Sequence, residues 1–406
     1  MSENDRKRII CVVGTRPEAI KMAPVILALR RQSWCELTVV GTGQHRELTR
    51  QALGIFNLAV DIDLDVMVAN QRLSGLSAKI LTAFDDILKC ERPELVLVQG
   101  DTTTVMAVSL SCFHAHVALA HVEAGLRTSN LQNPFPEEFN RRVATLATCL
   151  HFAPTQGAKR NLLAESVDPT TIFVTGNTVI DSLLSVAPDG AVPENARSIL
   201  VTMHRRENFD EPMARICDAI CDLHDRHRDL TFDIPVHPNP IVKSIVYSKL
   251  QHLARVNLMP PVSYDVLASL MQKSTLVLTD SGGIQEEAPA LKKPVLVLRS
   301  ETERPEAIDA GVAKLVGTDR ALIVSEVDRL LSSPVHYARM ASGASPYGDG
   351  MAAWRIAGHC ADFLGVDGVA RPAEFDASSS VVPTLSSLRE RANESRFLHC
   401  DRLALS

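Results

Sequence analysis

"LVLTDSGGIQEEAP", Leu276 to Pro289, carries a strand, a turn and a helix start in one short stretch. Leu276-Val277-Leu278 is continuously apolar, as a strand buried on both faces of a parallel sheet would be. Ser281-Gly282-Gly283 then sit where strand passes into helix. Glycines leave backbone N–H groups uncovered at a helix start, and their missing Cβ atoms let a phosphate approach closely. A plain turn would read the same way, so this stretch alone is a weak signal for a ligand.

The pattern repeats on both sides of it. Apolar runs at Ile9–Val13, Leu37–Val40, Leu95–Val98, Val117–Val122, Leu150–Ala153 and Ile172–Val174 form a first group. Runs at Ile199–Thr202, Phe232–Val236, Val256–Met259, Leu276–Thr279, Val295–Leu298 and Ala313–Val316 form a second. Helical patterns lie between them, which predicts an α/β chain with right-handed crossovers. "APDGAVPENARS", Ala187 to Ser198, is rich in Pro, Gly and polar residues and reads as the linker. We expect an amino-terminal Rossmann-like domain over 1–187 and a carboxyl-terminal one over 188–365. A closing helix at 351–364 would pack back on the first, and 366–406 would be a weakly ordered tail. Doubly wound domains bind ligands beyond the carboxyl ends of their strands, and two facing each other would leave a cleft.

Composition narrows the function classes. The chain has 406 residues and a net charge of −6, which gives no general reason to expect nucleic acid or an anionic membrane as partner. The polar amino terminus lacks the apolar core of a secretory signal. Val105 to Leu126 contains three histidines and a glutamate and reads as helix, turn and strand, not as a membrane span. Nine scattered cysteines without a Cys-x-x-Cys pair fit reduced thiols in a cytoplasmic protein. Cys217 and Cys221 read as core packing. His114, His116 and His121 have no partner cluster that would suggest a metal.

The turns after the strands carry the candidate chemistry. Gly14-Thr15-Arg16-Pro17-Glu18 and Lys21 place Arg16 and Lys21 near a helix start, where the helix dipole disfavours cations unless an anion binds. Asp101 follows one strand and Glu123 another; taken alone, a helix cap is the commoner role for Asp101. Glu137 and Glu138 open a helix after the rigid Pro134-Phe135-Pro136 loop, where their charge also suits the dipole. In the second half, His204 and His237 close strands. Glu287 lies too far along its helix to cap it and suits a ribose hydroxyl, while Arg304 is a second phosphate partner. Acids in one half and a phosphate-type turn in the other point to a nucleotide-diphosphate ligand.

The motifs "GTRPEAIKMAPV", "TGQHRE", "GDTTT", "HVEAGLRT", "NPFPEEFNRR", "GNTVIDSL", "HRREN", "VHPNP", "TDSGGIQEEAP" and "ETERPEA" run in order over about residues 8 to 365. Together they resemble the non-hydrolysing UDP-N-acetylglucosamine 2-epimerases, which have the glycosyltransferase-B type fold. The resemblance implies inversion of carbon 2 of UDP-N-acetylglucosamine to give UDP-N-acetylmannosamine, through elimination to 2-acetamidoglucal and UDP and re-addition. It implies no cofactor and no metal, a UDP-sugar as partner, a homodimer, and a supply role in cell-surface polysaccharide synthesis.

Motif by motif, the resemblance makes Asp101, Glu123, Glu137 and His204 catalytic. It gives Arg16, Lys21, His237, Ser281, Gly282, Gly283, Glu287 and Arg304 to the substrate. There are departures: Leu267 stands near where many relatives carry an aromatic, Gln99 where they often have histidine, and Met203 where a small residue is usual. A hydrolysing relative releasing N-acetylmannosamine, an epimerase for a UDP-diacetamido sugar and a glycosyltransferase of the same fold remain alternatives.

Overall fold

The computed structural model describes residues 6–44, 46–67, 71–128, 130–187, 197–302, 304–341 and 345–377. Most of the expected linker (188–196) and of the expected tail (378–406) lies outside the described residues. The chain divides into two compact units. One runs to Ser182 and takes in Tyr347–Asp376; the other is built on Leu183–Pro346.

The first unit holds a seven-stranded sheet. Its strands are β1 (Lys7–Val13), β2 (Cys35–Gly41), β3 (Ile62–Asp63), β4 (Leu95–Gln99), β5 (Ala118–Val122), β6 (Leu150–Ala153) and β7 (Ile172–Val174). They lie in the order β3-β2-β1-β4-β5-β6-β7, and every pairing is parallel. The second unit holds β8 (Arg197–Thr202), β9 (Leu230–Pro235), β10 (Val256–Met259), β11 (Leu276–Thr279), β12 (Val295–Val297) and β13 (Ala313–Leu315). Its order, β10-β9-β8-β11-β12-β13, repeats the first pattern, again all parallel. The expected doubly wound α/β architecture is therefore present twice.

Burial follows strand position. Ile9 to Val13 of central β1 and all of β4 and β11 are buried, because helices cover both sheet faces. In β9, nearer an edge, buried and half-buried residues alternate. Some helices face the sheets through single apolar stripes, while others, such as Arg16–Arg30 and Ala352–Phe363, are buried over most of their length. Leu73–Glu91 buries Leu76, Ile80, Phe84 and Leu88, four residues apart, against Val12, Val96 and Val98. Truncating Phe84 to alanine would cost about 3–5 kcal/mol. In the second unit, Glu211–Arg226 buries Met213, Ile216, Cys217, Ile220 and Leu223. Cys217 is thus a core residue, as expected, and burial pushes its thiol up to about 12.

The chain re-enters the first unit at Tyr347. Helix Ala352–Phe363 packs on helix Arg16–Arg30. Its first turn is closed by Asp181, whose carboxylate accepts the N–H groups of Ala352 (3.3 Å) and Ala353 (2.9 Å). Past Gly365, the described residues begin the expected tail with a docked segment. Phe375 is buried, and its N–H donates to Val174 O at 3.0 Å.

Candidate active site

In both sheets the strand order reverses beside the first strand, between β1 and β4 and between β8 and β11. At such a switch point the loops at the carboxyl ends part and leave room for a ligand. Arg16 and Lys21 follow β1, Asp101 β4, His204 β8 and Ser281 β11, while Glu123, His237 and Arg304 follow the neighbouring β5, β9 and β12.

In the first unit, Glu123 directly follows β5 and is largely buried, with its backbone in the left-handed region at φ 67°. A non-glycine residue there is held against a cost of about 1–2 kcal/mol. Its carboxylate supplies the compensating bonds. Lys21 Nζ donates to Oε1 at 2.5 Å, Asn177 Nδ2 donates to Oε1 at 3.1 Å, and Gln99 Nε2 donates to Oε2. Lys21, expected among the anion-binding cations, thus has its ammonium on Glu123. Arg16, at the first position of the same helix, is exposed.

Asp101 follows β4, the strand beside β5. Arg141 Nη2 donates to its Oδ2 at 2.5 Å, and Asn140 Nδ2 donates to its main-chain oxygen at 2.9 Å. Both partners lie on helix Glu137–Ala147, so this helix brings Glu137, half-buried at its first position, to the same edge of the sheet. The adjacent Glu138 has a different task. It is fully buried, paired with Arg141 and Arg142, and accepts the Thr128 N–H, which pins the preceding loop to the helix. Glu18 ties two further loops together. It accepts the N–H groups of Gly14 (2.6 Å) and Thr15 (2.7 Å) and the hydroxyl of Thr102, and burial raises its carboxyl to about 7. Burial also pushes His121 down to about 4, so at neutral pH it is uncharged. Its Nε2–H donates to Gly100 O at 2.7 Å, beside Asp101.

In the second unit, Ser281 is the N-cap of helix Gly282–Ala290 and its side chain makes no bond to the first turn. The first-turn N–H groups therefore have no capping acceptor from that side chain. A Cβ on Gly282 would come within 3.3 Å of the Arg304 guanidinium carbon and 3.6 Å of Arg205 Nη2. Two guanidinium groups and a helix N-terminus thus converge where a side chain is missing, and Gly283 follows. This is the chemistry of an anion site. Arg304 Nε is held by Glu286 Oε1 at 2.8 Å. Glu287, one turn along, is buried and accepts the hydroxyl of Tyr264 at 2.7 Å.

His204 follows β8, and its ring Nδ1 lies 3.2 Å from Oδ1 of the fully buried Asp280. Asp280 also accepts the N–H groups of His204 and Arg205 and the amide of Asn208. Burial pushes the Asp280 carboxyl up, but these bonds outweigh it and hold the group below its ordinary range. With Nδ1 engaged, Nε2 is the ring nitrogen left to face a substrate. His237, after β9, is exposed and stacks its ring 6.0 Å from that of His204.

Sequence reasoning did not single out Glu18, Arg141, Asn177 or Asp280, and it took Arg205 only as a cation beside His204. Arg141 had a usable signal, being one helical turn past Glu137. Asp280 had another, an acid ending a wholly apolar strand. Among the described residues there is no group of three or more His, Cys, Asp or Glu placed to hold a metal, and no helix is long and apolar enough to cross a membrane.

Comparison with known proteins supplies independent findings. Residues 27–360 match the family described as UDP-N-acetylglucosamine 2-epimerase. The UDP-N-acetylglucosamine 2-epimerase of Escherichia coli K12 is 45% identical over 364 residues, spanning 86% of this chain and 97% of the relative. The crystal structure of the Neisseria meningitidis UDP-GlcNAc 2-epimerase bound to UDP-GlcNAc is 42% identical. It superposes with a TM-score of 0.80 over 87% of this chain and all of that one. A solved S. aureus MnaA–UDP structure is 40% identical, with a TM-score of 0.82 over 91% of this chain and all of that one.

Proposed function

The chain belongs to the UDP-N-acetylglucosamine 2-epimerase family, and from that premise we propose that it interconverts UDP-N-acetylglucosamine and UDP-N-acetylmannosamine without releasing free sugar. In this reading the second unit's residues hold the UDP and the first unit's residues work on the sugar.

The reaction begins when a carboxylate takes the proton from carbon 2. The C–H electron pair becomes the C1=C2 double bond, and the C1–O pair leaves with the β-phosphate of UDP. Charge develops on that phosphate, where Arg304, Arg205 and the Gly282 helix start can stabilise it. UDP then adds back to carbon 1 of 2-acetamidoglucal while a proton is delivered to carbon 2 from the opposite face. Two groups on two sides of the ring are required, and Asp101, Glu123 and Glu137 are the candidates, with His204 steered by Asp280. Glu287 serves the ribose hydroxyls, Arg16 and Lys21 the anionic substrate, and His237 the same ligand beside His204.

The single observation that carries this reading is the pair of carboxylates on adjacent strand ends, each held by its own cation: Asp101 by Arg141 and Glu123 by Lys21. A glycosyltransferase needs an acceptor site and not two fixed carboxylates around one sugar carbon. NMR of UDP-N-acetylglucosamine incubated with the protein in deuterated water tests it. The expected result is deuterium at carbon 2 in a mixture of two intact UDP-sugars. Accumulation of UDP with free N-acetylmannosamine would establish the hydrolysing alternative, and no change would direct attention to a modified UDP-sugar.

We further propose a homodimer working in the cytoplasm to supply polysaccharide synthesis. Supporting the dimer, the packed helices Thr103–His114 and Glu137–Ala147 leave Phe113, Phe139 and Leu146 exposed, Leu146 by 86%. Sedimentation of Leu146→Glu as a monomer and of the wild type as a dimer is the expected outcome. The cysteines among the described residues are unpaired, which suits a reducing compartment.

A further inference from the structure

We propose that Asn177 is a positioning residue for Glu123, fixing the carboxylate that works on carbon 2. The proposal rests on the epimerase reading above. "GNTVIDSL" is a motif with no separate task legible in the sequence.

The structure gives the Asn177 side chain two separate jobs. Its Oδ1 accepts the N–H of Val179 at 3.1 Å, which closes the start of helix Thr178–Val186. That bond fixes which end of the amide points away. The other end, Nδ2, donates to Glu123 Oε1 at 3.1 Å. Asn177 is itself held from behind, because its main-chain N–H donates to Tyr347 O at 2.6 Å. The residue before it, Gly176, has φ 83°, and a Cβ there would come 3.3 Å from the Gly348 Cα. The residue is buried at 2% exposure, which shields its amide from bulk solvent. Both of its torsions are pinned, and it delivers one N–H to one carboxylate oxygen.

Glu123 needs such support. Its left-handed backbone sets the direction of the side chain, and a long carboxylate side chain retains torsions that only neighbours can fix. Lys21 shares Oε1, but its flexible stem supplies charge more than direction. Gln99 holds Oε2. Asn177 is the donor on Oε1 whose own position is rigid.

A cap alone would be served equally by aspartate, which accepts the Val179 N–H in the same way. Asn177→Asp therefore separates the two jobs. It keeps the cap, removes the donor and sets an oxygen against Oε1. The experiment compares wild type, Asn177→Asp and Asn177→Ala by steady-state kinetics with UDP-N-acetylglucosamine, alongside thermal melting of each. We expect kcat to fall at least ~100-fold in Asn177→Asp and about 10-fold in Asn177→Ala, with KM within about threefold, since displacement near the reacting atom acts on the chemical step. Asn177→Asp should melt within a few degrees of wild type, so the loss is not one of folded protein; if it does not fold, the kcat and KM of Asn177→Ala decide. A kcat within twofold of wild type in the folded Asn177→Asp, or a loss that merely tracks unfolding in both variants, overturns the proposal. A wild type that does not interconvert the two UDP-sugars overturns the epimerase reading and this proposal with it. An active wild type beside an unaffected Asn177→Asp overturns this proposal alone.

Discussion

The two units have the same strand order and opposite chemistry at its carboxyl edge. After β4 and β5 of the first come Asp101 and Glu123, each bonded to a cation. After β8 and β11 of the second come an imidazole steered by a buried aspartate and a glycine turn overhung by two arginines. The sheets only supply positions. The loop residues give one edge cation-paired carboxylates and the other a glycine turn beside two guanidinium groups, which is why fold alone does not yield function.

The contrast extends to buried acids. In the first unit burial dominates, and Glu18 and Asp181 are both raised to about 7. In the second, bonding dominates over burial and Asp280 is held low. Similar burial gives opposite shifts because the number and geometry of donors differ.

The largest expected break comes from the first edge. Asp101→Asn and Glu123→Gln should each cut turnover at least ~100-fold by removing a proton-transfer group. An NMR assay of carbon-2 exchange reads this directly, and wild-type exchange in either variant would remove that residue from the mechanism.

The acids should also give the two units opposite pH responses. Asp181 has a folded pKa above its unfolded value, so its contribution to stability is complete below about pH 4 and is lost as pH rises toward 7. Asp280 has a depressed pKa, so its contribution is present above about pH 4 and is lost as pH falls. Urea unfolding at pH 5 and pH 7.5 should therefore show Asp181→Asn gaining on wild type at the higher pH. Asp280→Asn should lose as much at pH 5 as at pH 7.5 and less near pH 3, each effect being on the order of 1–3 kcal/mol.

Arg304→Ala should weaken UDP binding about 10-fold in calorimetry, the scale of one charge-assisted hydrogen bond, and leave the first unit's acids untouched. The smallest effect is expected from Tyr264→Phe. It removes the hydroxyl that Glu287 accepts and should weaken UDP about threefold, with little change for a ligand lacking ribose hydroxyls.

Much of this was legible in the sequence. Every apolar run read as a strand is a strand, because burial on both faces leaves an unbroken signature. β3 escaped because it is only Ile62 and Asp63, paired with Val40 and Gly41 at the sheet edge, with no apolar run to mark it. The strand-end turns were legible for the same reason: charge directly after a buried strand is conspicuous. The supporting residues were not. Glu18 and Asp280 look like ordinary turn acids, since spacing does not reveal that backbone N–H groups converge on them. Arg205 reads in the sequence as a cation beside His204, and only the space at Gly282 shows what else it overhangs. Asn177 drew no notice because the bond that matters reaches Glu123, distant in sequence.

The central claim is a division of labour, with the second unit's turn binding UDP and the first unit's acids performing the chemistry. Calorimetric titration of UDP into the Asp101→Asn/Glu123→Gln double variant tests it most directly. UDP affinity should stay within about threefold of wild type in a protein that no longer exchanges the carbon-2 proton, since the anion site is built from residues of the second unit and both acids belong to the first. Loss of UDP affinity in that double variant, with affinity retained in Arg304→Ala, would contradict it.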